Sequence, residues 1–71
     1  MTKLDKAIQA AEELAGIRNR QVVVWQVSKD SRHIPGYWLR FDEPASIARL
    51  TFDGLDGYQL AVVYIAMPKA G

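Results

Sequence analysis

The 71-residue chain has no cysteine and a single histidine. The first absence excludes a disulfide scaffold and any zinc site built on thiolates. The second excludes a histidine-rich metal site, so no metal and no cofactor is expected. The chain also lacks a long apolar run. The longest such stretch, 60–67, is too short for a bilayer, which needs about 20 residues. The start, Met1 to Lys6, has no long apolar core behind it and does not read as a signal peptide. A soluble, cytoplasmic protein without membrane contact is expected. Excess charge is missing as well. Nine Lys and Arg face eight Asp and Glu, and the isoelectric point is about 8.1, which leaves little field to steer nucleic acid or anionic lipid. Neither a P-loop nor a dinucleotide glycine spacing occurs, and no small-molecule substrate is expected.

What is present is aliphatic. At 49% hydrophobic residues, the chain is too apolar for disorder. It is the length of one domain, and a domain this small has a narrow stability margin. Without disulfides or metals, oligomerisation or docking is the remaining support.

The spacing predicts an N-terminal helix over 2–15. Thr2 and Asp5 are placed as a capping box, and Leu4, Ala7, Ile8, Ala11, Leu14 and Ala15 share a face. Gly16 reads as the stop, with Ile17 packing back on the last turn. Lys3 and Lys6 near the start, and Glu12 and Glu13 near the end, oppose the macrodipole. β-branched and aromatic residues predict strands over 21–28 and 37–43. The segment 47–53 reads as a third strand, because Ala48, Leu50 and Phe52 alternate with polar positions. Asp53 to Gly57 then reads as a hairpin loop, and 58–66 as a fourth strand. The alternative is a second short helix launched by Pro44, leaving three strands. The expected fold is α+β: one N-terminal helix on an antiparallel sheet of three to four strands, in an α-β-β-β-β meander.

Alternation places Val23, Trp25, Val27, Tyr37, Leu39 and Phe41 beneath the helix. The opposite face then holds Val22, Val24, Trp38, Ile47, Ala61, Val63 and Ile65, with Arg40 and Asp42. One helix covers one face, and a solvated face should be polar. This outer set therefore reads as an interaction surface. Trp38 and Arg40 are residue types enriched at binding hot spots, and Trp25 is expected in the core on the other side. A meander also leaves the apolar strands 21–28 and 58–66 at the edges, open to strand addition or dimerisation.

Catalysis is not expected. His33, Asp30 and Ser31 lie in one loop and cannot converge as a triad does, and the adjacent carboxylate pairs diverge. The expected function is a small non-enzymatic interaction module, an inhibitor or adaptor. It would act as a homodimer, on a larger protein or nucleoprotein complex, or both, through Trp38, Arg40, Val22, Val24, Ile47, Val63 and Ile65. Phage-encoded inhibitors of host defence, anti-CRISPR proteins among them, are of this size and style. The alternative is nucleic-acid binding by Lys29, Arg32, His33, Tyr37, Trp38 and Arg40, where bases adjoin aromatics.

Overall fold

The computed structural model describes residues 2–29 and 35–68. Helix α1 spans Lys3–Arg18, strands β1 and β2 span Val22–Ser28 and Gly36–Arg40, helix α2 spans Pro44–Asp53, and strand β3 spans Gln59–Ala66. The fold is α+β, with a three-stranded antiparallel sheet in the order β2-β1-β3. The four-strand meander is corrected here: the sheet has the three strands of the alternative reading, with a second helix at Pro44, and β1 lies at its centre rather than at an edge.

Helix α1 starts as its sequence dictates. Thr2 Oγ1 accepts from the Asp5 amide at 3.1 Å, and Asp5 Oδ2 accepts from the Thr2 amide at 3.2 Å, which satisfies two free donors of the first turn. The end is different. The helix runs through Gly16 to Arg18 and is closed by Asn19 in the left-handed region (φ 54°), whose amide donates to the Ala15 carbonyl. Asparagine tolerates that conformation because its short polar side chain can bond locally. Gly16 is thus an interior residue, and Ile17, instead of folding back, is 78% exposed. Ala11 and Ala15 are fully buried. They bring the helix close to Val22, Val24 and Ala66, with Tyr37, Leu39 and Tyr64 packed around them.

The segment expected to be a third strand is helix α2. Pro44 occupies its first turn, where its missing N–H costs nothing. Ile47 and Leu50, one turn apart, pack on Val23, Trp25, Val27 and Leu60. Residues alternate along β1, so the two helices cover opposite faces of the sheet. Val22, Val23, Val24 and Trp25 are consequently all fully buried. A strand covered on both sides reads as a continuous apolar run rather than an alternating one.

Gly54 ends α2 at φ 71°, ψ −166°, and its amide donates to the Leu50 carbonyl at 2.8 Å. A Cβ there would collide with the Tyr58 carbonyl oxygen. The Asp53 to Gly57 segment makes a turn, as expected, but from a helix into β3. Leu55 and Tyr58 exchange backbone hydrogen bonds at 3.0 and 2.9 Å. Asp56 and Gly57 between them both have positive φ, the geometry of primed hairpin turns. Along β3 the pairing with β1 slips once: Val24 faces Tyr64 and Trp25 faces Val62. Val63 is the extra residue of a bulge, which lets both Val63 and Tyr64 pack towards α1.

The two glycines should respond oppositely to alanine. Gly16 has open space where a Cβ would go, so Gly16→Ala should stabilise by about 0.5–1 kcal/mol. Gly54→Ala should destabilise by about 2 kcal/mol or more, from strain and collision together. Chemical denaturation of both variants checks the contrast.

Candidate interaction surface

Asp42 sits between β2 and α2 and is the one buried charged residue among those described. Burying a carboxylate is costly unless it is paired and hydrogen-bonded. Here Trp25 Nε1 donates to its Oδ2 at 2.9 Å, and Arg40 Nε lies 3.2 Å from the same oxygen. Gln21 Nε2 donates to the Asp42 backbone carbonyl at 3.3 Å. No buried side-chain polar atom among the described residues lacks a partner. The carboxylate thus ties the β2–α2 junction to the central strand. Beside it, the Arg20 guanidinium lies 4.6 Å from the Phe41 ring centroid, in a cation–π contact.

One of the two open sheet edges is the outer edge of β3. No described strand pairs with that side. Gln59–Ala66 contains no charge and no proline, two of the devices that usually protect an edge, and the bulge at Val63 is its one irregularity. Apolar side chains crowd its ends. Ile65 is 40% and Met67 63% exposed, and Phe52 of α2, beside the start of β3, is 90% exposed. A shallow depression formed by Tyr64, Ile65 and Met67 meets a second one at Ile17, and Glu12 lines both. Tyr64 Oη donates to Glu12 Oε1 at 2.6 Å, which ties α1 to the edge strand.

No protein-family model, curated protein or solved structure matches this chain.

The residues expected to form one face are divided. Val22 and Val24 are fully buried under α1, Val63 packs on the same cluster, and Ile47 packs from α2 onto the other face. Of the apolar set, Ala61 and Ile65 remain on the surface. Asp42, expected to point to solvent, is buried. Trp38 lies directly opposite Trp25 across the β1–β2 pair, on the same face rather than the opposite one. It is half-buried and meets Tyr58 edge-on, with centroids 5.7 Å apart. Arg40 is engaged by Asp42. Tyr37 turns to the α1 side while Trp38 turns to the α2 side, so the two rings do not make one stacking platform. Lys29 is exposed, and Arg32 and His33 fall outside the described residues, as do Asp30 and Ser31. Ile17, Phe52 and Met67 are the exposed apolar residues that the sequence pattern does not single out: a stop at Gly16 would turn Ile17 inward, and a strand over 47–53 would put Phe52 in the core.

Two measurements probe this geometry. Asp42→Ala should cost about 2–3 kcal/mol, because it strands a buried indole N–H and frees Arg40. Asp42→Asn, which keeps an acceptor, should cost less. A double-mutant cycle with Trp25→Phe should give a coupling of about 1–2 kcal/mol.

The second concerns Tyr64. Its hydroxyl is raised above the ordinary 10.0, first by the hydrogen bond to Glu12, then by burial and the charge of the same carboxylate. The contact therefore contributes fully below the unfolded value and is lost as pH rises through the raised folded one. The difference between phenolate titrations of wild type and Tyr64→Phe should show a midpoint above 10.0, and Glu12→Gln should lower it.

Proposed function

We propose that this chain is a non-enzymatic protein-interaction module that works by lending the open edge of β3 to another strand. The observation that carries the reading is an uncharged, proline-free edge strand flanked by exposed Ile17, Phe52, Ile65 and Met67. Main-chain groups along such an edge supply affinity, and the flanking apolar side chains supply selectivity. The engagement of Asp42 by Trp25 and Arg40 also fits a chain whose polar core is structural. Inhibition or bridging of a larger protein or nucleoprotein complex in the cytoplasm is the form of action that its size suggests.

The simplest occupant of the edge is a second copy. Antiparallel pairing of two β3 strands about a two-fold axis would join two sheets into one of six strands and bury the flanking apolar groups of both. It would also supply the support that a chain of this length otherwise lacks. Among the described residues, the nucleic-acid reading is less well supported, since Arg40 is paired and Tyr37 and Trp38 face apart.

Sedimentation and light scattering test this. The wild type should have twice its 8.0 kDa chain mass at micromolar concentration. Ile65→Lys, which puts a charge on the edge at a 40% exposed position, should run as a folded monomer. A wild type that stays at 8.0 kDa up to millimolar concentration would overturn self-pairing of β3.

A further inference from the structure

The other edge of the sheet carries different chemistry. No described strand pairs with the outer side of β2. Between that edge and the first turns of α1 runs a groove with an apolar floor of Ala7, Tyr37 and Leu39, and with Lys3 and Lys6 on its helical wall. Neither lysine forms an ion pair among the described residues. The acid between them, Asp5, is taken up by the Thr2 amide. A strand edge, an apolar floor and two unpaired cations along one wall together describe a receptor for an extended chain bearing carboxylates.

We infer that this groove binds an extended acidic peptide segment of a partner protein, added antiparallel or parallel to β2, with carboxylates meeting Lys3 and Lys6. Spacing agrees with this occupant. The two lysines stand three residues apart on a helix, about 4.5 Å along its axis. Alternate side chains of an extended peptide are about 7 Å apart, a difference that a flexible lysine stem spans. A second copy is a poorer occupant, since β2 itself brings Arg40 and no acid, and β3 brings no charge. Single-stranded nucleic acid would satisfy the lysines but not the strand edge, because it has no peptide groups to pair. The site is independent of the β3 edge, so either can fail alone.

The test is a nuclear magnetic resonance titration with capped eight-residue peptides alternating valine with glutamate, glutamine or lysine. The glutamate peptide should bind saturably, shift the amides of 3–7 and 36–40, and weaken steeply with salt. The double variant Lys3→Glu/Lys6→Glu should bind it at least about tenfold more weakly. That variant should fold and keep the wild-type oligomeric mass, because acids suit the first turn of a helix. Equal binding of the glutamine peptide would overturn the inference. So would shifts confined to 59–66, displacement by a single-stranded oligothymidylate, or no saturation at millimolar peptide.

Discussion

A hydrogen bond from the Trp25 indole to the Asp42 carboxylate holds the second half of this fold in place. It links the middle of the central strand to the short junction between β2 and α2. The bond from Gln21 to the Asp42 carbonyl anchors the same junction by its backbone. With the junction fixed, the chain leaves β2 and lays α2 across the face that α1 does not reach. Arg40 lies beside the carboxylate, so the buried charge is not left alone. Removing one member of such a group exposes the full desolvation cost of the others.

Much of the fold was legible. The capping box at Thr2 and the alanine stripe named α1, and the valine-rich run named β1. The excess of apolar residues on the second face was also legible as an anomaly. Its cause was not, because over ten residues the alternation of Ala48, Leu50 and Phe52 competes with the helical spacing of Ile47 and Leu50. Pro44 at the first helical position decides the matter once Asp42 is tied down. The alternation along β3 fails beyond Val63 for a different reason, with Tyr64 on the same side as Val63 rather than opposite it. A single-residue bulge reverses the phase of every later side chain, and no local signal in an all-apolar strand announces it. Asp42 and Arg40 read as solvent-facing polar residues because nothing in their spacing reveals an indole seventeen residues earlier in the chain.

Covering both faces changes where an interaction can occur. A sheet with one bare face would associate through that face, whereas here, among the described residues, the strand edges and helix ends are what remain open. The two edges are chemically unlike. β3 is uncharged and flanked by Ile17, Phe52, Ile65 and Met67. β2 borders a groove with two lysines on α1 that have no ion-pair partner among the described residues, the same charges that oppose the helix macrodipole in the sequence. Apolar residues left exposed and cations left unpaired both represent stabilisation available to a partner and unused within the chain.

The account rests on one chain covering both faces of its own sheet. Nuclear Overhauser contacts from the Trp25 ring test this most directly. Cross-peaks should link Trp25 to the methyl groups of Leu50 and Ile47, while Val22 and Val24 show cross-peaks to Ala11 and Ala15. Cross-peaks from Trp25 to Ala11 and Ala15, with none to Leu50, would place the indole under α1 and contradict the architecture.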